Sequence, residues 1–377
     1  MGFGTLELLT LQQYWWMIIS LLGGLFVFIM FVQGGQTLMD KLSDSEIEKT
    51  MLINSIGRKW ELGFTTLVLF GGALFAAFPL FYATSFGGAY WVWLAILFCF
   101  IIQAVSYEFR TKRNNFLGQK TYEMFLKING NIGTFLLGVA ISTFFSGSEF
   151  IVDSNNFVDW QNPLRGLEAL LNPYNYLLGF ALVYLAKISG ALYFINNIDH
   201  HEIRQRAVLS IKTNMIFFLL SFLSFMTWIL LKDGYAVDSE GFVSIERFKY
   251  FQNFIDMPIV LAMFLIGVAM VIIAVFVTVI FRKTCCIKTG GIGIVLTVMA
   301  VLLNVGLNNT AYYPSTVDLQ SSLTIVNSSG SHYTLMTMSY VSLMVPFVLA
   351  YITYAWYSMD KVKITKEEIQ SPDSHNY

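Results

Sequence analysis

The chain has 377 residues, of which 56% are hydrophobic and 12% are charged, and its mean hydropathy is +0.61. An average soluble domain carries about 25% charged residues, so this composition leaves too little charge to cover a soluble surface. The net charge of −1 gives no electrostatic basis for binding nucleic acid.

Nine apolar segments follow one another along the chain, and most reach the roughly 20 residues that a membrane-spanning helix needs. Their continuous apolar character excludes barrel strands, which would alternate. The sequence therefore predicts an all-α polytopic membrane protein with one membrane domain over residues 1–360 and a polar, frayed cytoplasmic tail over 361–377. A tight turn at Gly87 and Gly88 is expected between the second and third spans. The spans are predicted near 15–34, 61–84, 87–107, 131–148, 174–197, 211–232, 257–281, 288–307 and 336–357.

Basic residues are distributed unevenly between the two sets of loops, which sets the expected orientation. If the N-terminus is outside, the cytoplasmic loops and the tail hold 18 Lys and Arg residues, and the outer loops hold four. The sequence therefore predicts an outer N-terminus and a cytoplasmic C-terminus. Trp15, Trp16 and Trp356 are expected in aromatic belts at the membrane interfaces.

Histidine and cysteine usage argues against a haem or metal site in this chain. All four histidines (His200, His201, His332 and His375) fall in predicted loops or the tail, whereas haem ligands in membrane helices usually lie within the spans. The three cysteines form no CxxC pair. The adjacent His200 and His201 are interpreted as a solvated loop in preference to a metal site.

Ionisable residues inside or beside the spans are the candidates for function. Lys187 lies within the fifth span, where a functional role and snorkelling toward the cytoplasmic surface both stay open. Glu61 follows Trp60 at the start of the second span, where it is either a proton relay or a first-turn carboxylate stabilised by the helix dipole. Glu108 and Arg110 close the third span, and their i,i+2 spacing places them on different helix faces.

Several segments have sequences typical of one respiratory family, and they occur in the order found in that family. The longest is INSIGRKWELGFTTLVLFGGALFAAFPLFYATSFGGAYW at 53–91. Further matches are SYEFRTK at 106–112, LLNPYNYLLG at 170–179, GALYF at 190–194 with HEIRQRA at 201–207, YPSTVDLQSSLTI at 313–325, and VPFVLAYITYAWY with ITKEEI within 345–369. On these motifs the chain resembles subunit II of cytochrome bd-type quinol oxidases.

This resemblance implies a nine-helix subunit built as two four-helix bundles plus one peripheral helix. It implies a partner, subunit I, that carries two b-type haems and one d-type haem, oxidises quinol and reduces oxygen to water with protons from the cytoplasm. It also implies a reaction that is electrogenic without pumping and a location in the bacterial cytoplasmic (inner) membrane. Subunit II carries no haem in this family, and some members hold a structural quinone. Whether a small single-helix subunit joins the complex is left open.

The resemblance also assigns roles residue by residue. Glu61 falls on the acidic position after Trp60 that the family places on the proton path, and Glu108 with Arg110 matches a D/E-x-R pattern ending the third helix. Many members carry D-G-F-D at the end of helix 1, where this chain has Gln33 and Gln36, which cannot ionise, so the resemblance leaves open a proton entry that relies on those acids.

Two further positions depart from the family. Many members have an apolar residue in place of Lys187 and Arg in place of Gln103.

Two rival interpretations remain. A secondary transporter with Lys187 in a midplane site is disfavoured because the spans contain few proline breaks and no clear internal repeat. A scaffold that stabilises a haem-bearing partner and relays no proton is the second.

Overall fold

The computed structural model describes residues 2–112 and 114–370. Its helices are α1 Leu8–Ile29, α2 Phe31–Leu42, α3 Glu46–Gly57, α4 Trp60–Ala77, α5 Pro79–Tyr82, α6 Tyr90–Phe109, α7 Gln119–Ile128, α8 Thr134–Ser146, α9 Pro173–Asn197, α10 His201–Leu231, α11 Lys249–Asp256, α12 Pro258–Phe281, α13 Cys286–Gly306, α14 His332–Ser342, α15 Val345–Asp360 and α16 Lys366–Gln370. Single π-helical turns cover Ala83–Gly88 and Asn129–Gly133, and short 3₁₀ helices cover Phe3–Thr5, Leu167–Leu171 and Leu319–Ser321.

Within the described residues, eight helices are long and apolar enough to cross a membrane, and α14 with α15 makes a ninth if this pair, bent by 41°, is one span. The all-α polytopic class is therefore confirmed. Several spans are longer than the apolar segments predicted, because polar turns extend them: α1 continues into α2, α3 into α4, and α7 through the second π-turn into α8, and α10 begins at His201 instead of 211. The orientation and the division into two bundles stay predictions.

Capping residues fix several helix starts. Asn172 caps α9 by accepting a hydrogen bond from the Tyr174 backbone N–H, and Pro173 occupies the first turn. Ser45 caps α3 in the same way. The Asn172 cap and Pro173 account for the start of α9 at residue 173, close to the predicted 174.

Close backbone contacts hold the long helices together. A Cβ placed on Gly34 of α2 would lie 1.8 Å from the Ala186 carbonyl oxygen of α9, so a larger residue would force these helices apart. Gly138 of α8 and Gly179 of α9 meet in the same manner. Small residues at crossings allow the dispersion contacts that stabilise membrane bundles.

The loops that follow α8 and α10 each contain a β-hairpin. Strand β1 Phe150–Val152 pairs antiparallel with β2 Val158–Trp160, and β3 Gly234–Val237 pairs antiparallel with β4 Val243–Glu246. Phe150 lies opposite Trp160, and Gly234 lies opposite Glu246.

The belt prediction was wrong for two tryptophans. Trp15 and Trp16 are buried at 6% and 1% exposure. The Trp16 indole N–H donates to the Leu302 carbonyl oxygen at 2.9 Å, and that of Trp15 donates to Ser339 at 3.1 Å. Because each indole N–H has a buried acceptor, both tryptophan side chains are stable in the protein interior, although the sequence alone indicated a membrane interface.

The turn expected at Gly87 and Gly88 is the end of the first π-helical turn, which leads into α6. The start of the tail is docked, so the frayed prediction was wrong for residues 361–370. Ile364 exchanges backbone hydrogen bonds with Asn197 and Asp199, and Arg58 pairs with Glu368 at 2.5 Å. Residues 371–377, which include His375, lie outside the described residues.

Candidate functional site

A strip of polar side chains crosses the apolar interior between α2, α4 and α6. Gln33, Gln36 and Gln103 are each at most 1% exposed. The Gln33 side-chain amide donates to Gln103 Oε1 at 3.4 Å, and that of Gln36 donates to the Tyr107 hydroxyl at 3.1 Å. The Tyr107 ring stacks on Trp60 with centroids 5.7 Å apart. The helical spacings i,i+3 and i,i+4 place these side chains on facing stripes.

Several polar atoms of this strip have no hydrogen-bond partner among the described residues. They are Gln33 Oε1, Gln36 Oε1 and Gln103 Nε2. Asn129 and the Thr134 hydroxyl, which are also buried and unpaired, flank the second π-turn. That turn packs on α2, because a Cβ on Gly130 would lie 2.3 Å from the Gln33 carbonyl oxygen.

An unpaired buried amide atom costs about 1–3 kcal/mol. Internal water is the usual way for a protein to meet that cost. π-turns are also frequent at functional sites. The strip is therefore chemically suited to hold ordered water, and its amides accept and donate hydrogen bonds without ionising.

An ion-pair cluster lies at the end of this strip where α6 ends. Arg110 is 2% exposed, and its Nη2 lies 3.0 Å from Glu123 Oε1 on α7. Lys49 lies 3.3 Å from Glu123 and 3.2 Å from Asp40, which also pairs with Lys127. Glu123 was missed from the sequence, because it lies before the apolar segment predicted to begin at 131.

Glu61 and Glu108 point away from that cluster. Glu61 lies in the first turn of α4 on its exposed side, and it has no ion-pair partner among the described residues. Val68 and Phe75 are exposed further along α4. Glu108 is largely exposed and pairs with Lys112 at 3.1 Å. The structure thus brings Arg110, Tyr107 and the glutamines together, and leaves both carboxylates on the outer surface of the chain.

Lys187 lies half-buried on α9, away from any described carboxylate within ion-pair distance. Its Nζ is 5.5 Å from the Tyr184 ring centroid, and Tyr184 stacks on Phe217. The negative face of an aromatic ring attracts a nearby cation, which partly offsets the cost of burying the positive charge.

The described histidines have structural contacts. His200 caps α10 by accepting from the Ile203 N–H, and its Nε2 lies 3.6 Å from Glu48. His201 contacts Gln205, and His332 contacts the Leu6 carbonyl oxygen. Among the described residues, no group of three or more His, Cys, Asp and Glu side chains is placed to hold a metal ion.

A second buried ion pair joins the last span to the rest of the chain. Lys59 Nζ lies 3.0 Å from Asp360 Oδ1, and the Lys59 side chain is fully buried. Asp360 also accepts hydrogen bonds from Tyr193, Asn197 and Trp356. Trp356 is therefore anchored inside this cluster and is not simply an interfacial residue.

A partly open apolar cavity of about 170 Å³ lies between the long helices. Phe26, Met30, Leu137, Leu182 and Phe222 contribute to its wall, which contains no titratable side chain. Such a cavity accommodates hydrocarbon and not a charged group.

Comparison with known proteins gives the same family as the sequence motifs, over almost the whole chain. The family model described as cytochrome bd terminal oxidase subunit II matches residues 11–359. The cytochrome bd-I ubiquinol oxidase subunit 2 of Escherichia coli K12 is 26% identical, with 96% of this chain and 97% of the relative covered. The cytochrome bd ubiquinol oxidase subunit 2 of Bacillus subtilis is also 26% identical, with 95% and 98% covered.

A solved structure shows the same fold. A chain of the bd oxidase from Geobacillus thermodenitrificans superposes with a TM-score of 0.55 at 14% identity, covering 92% of this chain and 95% of that one.

Proposed function

Because the chain belongs to the cytochrome bd terminal oxidase subunit II family, we propose that it is the haem-free subunit of a quinol:O2 oxidoreductase in a bacterial cytoplasmic membrane. Its partner, subunit I, would carry the two b-type haems and the d-type haem. That partner would oxidise quinol to quinone and reduce oxygen to water. The observation that carries this proposal is the family match, which runs from residue 11 to residue 359.

The proposed lack of haem in this chain is supported by its histidines. Of the four, three are engaged in helix caps or loop contacts, and His375 lies in the tail. The apolar cavity offers room for part of a quinone side chain, and we propose that any structural quinone places hydrocarbon there.

We further propose that the cytoplasmic proton path for oxygen reduction runs along α4 and α6 of this chain. Glu61 is the ionisable relay: its carboxylate is exposed in the first turn of α4, where a partner subunit can cover it. Glu108 is one helix away on the exposed face and collects protons at the cytoplasmic surface.

The other path residues act without exchanging protons. Arg110 stays charged, so its role is electrostatic: with Glu123 it fixes the end of α6 next to Tyr107 and Trp60. Gln33 and Gln36 do not ionise, and they take part by holding water. Lys187 contributes a positive charge from α9.

The scaffold interpretation is the rival of this mechanism within the same family. It receives support from the two buried ion pairs, which fix helices without needing a proton-transfer role. The two interpretations differ in whether Glu61 affects turnover once the complex has assembled.

Co-purification tests the family function. The tagged chain is isolated from its native membrane in mild detergent, and spectra are taken before and after reduction with dithionite. The proposal predicts a second large subunit, b- and d-type haem bands and quinol-dependent oxygen uptake. A colourless single chain, from a procedure that preserves complexes, would overturn it and favour the transporter.

A further inference from the structure

A surface groove of about 680 Å³ runs between the outer halves of α9 and α10. Its floor and walls are apolar at Leu177, Leu220 and Leu223, and two hydroxyl groups, Ser224 and Thr227, line it nearer the end of α10. Grooves between helices are common positions for ligands. This groove lies on a different part of the chain from Glu61 and the glutamine strip.

The groove ends at a cation whose position is fixed. Lys232 follows the last residue of α10, and its Nζ donates to the carbonyl oxygens of Phe145 at 2.8 Å and Asp233 at 3.2 Å. The Tyr235 ring lies 4.7 Å from the same atom. An ammonium group has three donors, so two carbonyls leave one donor for a ligand.

The surroundings of Lys232 favour an incoming anion. Burial lowers the pKa of Lys232 to about 8, so the ammonium is still mostly protonated at neutral pH. The acidic neighbour is Asp233, on the same turn, whose charge counteracts part of that shift. The other groups around the ammonium, which are Tyr235 of β3, Trp228 of α10 and the Phe145 carbonyl of α8, are uncharged.

The depth of the site matches one membrane leaflet. Tyr174 and Trp228 stack at the mouth of the groove with centroids 5.1 Å apart. Aromatic residues of this kind mark the headgroup level. From Lys232 to Leu220 the helix runs about 18 Å at 1.5 Å per residue, which is close to half of the roughly 30 Å hydrocarbon core.

We propose that this groove binds one anionic phospholipid, with its phosphate on the Lys232 ammonium and an acyl chain lying along the leucines of α9 and α10. The headgroup is held by the ion pair between its phosphate and the Lys232 ammonium, and by a hydrogen bond from the remaining N–H of that ammonium. The hydroxyls of Ser224 and Thr227 face the glycerol ester region. A net anionic headgroup is preferred because its charge is attracted to the Lys232 ammonium, whereas the ammonium of a zwitterionic headgroup would be repelled by it.

Native mass spectrometry of the detergent-purified complex tests the site, with phosphatidylglycerol and phosphatidylethanolamine added in equal amounts. The intact complex is expected to retain phosphatidylglycerol. Lys232→Gln should lower that retention about fivefold, as expected for loss of roughly one lysine–lipid interaction. Lys232→Arg should keep it. Raising the pH from 7 to 9.5 should lower it in the unaltered complex, because the ammonium deprotonates.

Two further variants separate lipid binding from folding. Leu223→Trp fills the exposed groove without touching Lys232, and it should also reduce lipid retention. Lys212→Gln, at an exposed lysine near the other end of α10, is the matched control and should have no effect. Equal lipid retention in Lys232→Gln and the unaltered complex, no retained phospholipid at all, or equal retention of the zwitterionic lipid would overturn the proposal.

Discussion

Arg110 and Glu123 form an ion pair between α6 and α7, with Nη2 3.0 Å from Oε1 and side chains exposed by only 2% and 6%. Lys49 of α3 joins the same carboxylate at 3.3 Å. This cluster therefore connects three helices at the end of the glutamine strip where α6 ends.

Arg110→Gln is expected to destabilise the protein strongly. It leaves Glu123 buried without its closest counter-ion, and breaking a buried pair by removing one partner costs about 3–5 kcal/mol. Thermal unfolding of the purified complex measures the effect. Lys112→Gln is the control, because its exposed pair with Glu108 is worth about 1 kcal/mol or less. Similar losses in the two variants would contradict the assignment.

Asp360→Asn is expected to loosen the attachment of the last span. Lys59 is fully buried, and the amide cannot compensate its charge. Residues 361–370 dock beside this pair, so limited trypsin digestion should cleave after Lys361 faster in the variant. Glu367→Gln, at a fully exposed carboxylate, should leave the cleavage rate unchanged. An unchanged rate in Asp360→Asn would show that the tail is held by other contacts.

Variants of the glutamine strip can separate an effect on stability from an effect on turnover. Gln103→Leu alone should destabilise by about 1–3 kcal/mol because Gln33 loses its amide partner. Adding Gln33→Leu should recover part of that loss, since replacing both polar partners is nearly neutral. The double variant should still consume oxygen more slowly if the strip holds water for proton transfer. Full turnover in a stable double variant would remove the strip from the path.

Replacing Glu168 is expected to give a gain in stability that depends on pH. This carboxyl, in the loop between α8 and α9, is buried, and burial together with nearby Glu149 raises its pKa above the ordinary value, against hydrogen bonds such as that from the Gly166 N–H. The cost of the buried charge is fully present above the folded-state pKa and absent below the unfolded-state pKa. Glu168→Gln should therefore raise the melting temperature more at pH 8 than at pH 5. An equal shift at both pH values would argue against a buried charge.

The helices were predictable because each span carries a long apolar segment. The extensions of these helices beyond their apolar segments were not predictable, because α3 is largely polar and α7 is amphipathic, so both fall outside an apolar window. Glu123 was missed for that reason. Lys59 and Asp360 lie 301 positions apart, so no local spacing connects them.

The candidate site was only partly accessible from the sequence. Gln33, Gln36 and Gln103 drew notice because they depart from a family pattern, and their contacts with one another and with Tyr107 follow from the way α2 and α6 pack. The burial of Trp15 and Trp16 depends on acceptors more than 280 residues away, which no interface rule considers.

Oxygen uptake by the Glu61→Gln complex tests the central claim most directly, because glutamine keeps the size of the side chain and removes its proton. We expect turnover with excess quinol to fall by roughly tenfold or more, with an unchanged haem spectrum and subunit content. Glu202→Gln, at an exposed carboxylate in the first turn of α10, is the matched control and should retain full activity. Normal turnover in a fully assembled Glu61→Gln complex would contradict the relay and leave this chain as a scaffold for the haem-bearing subunit.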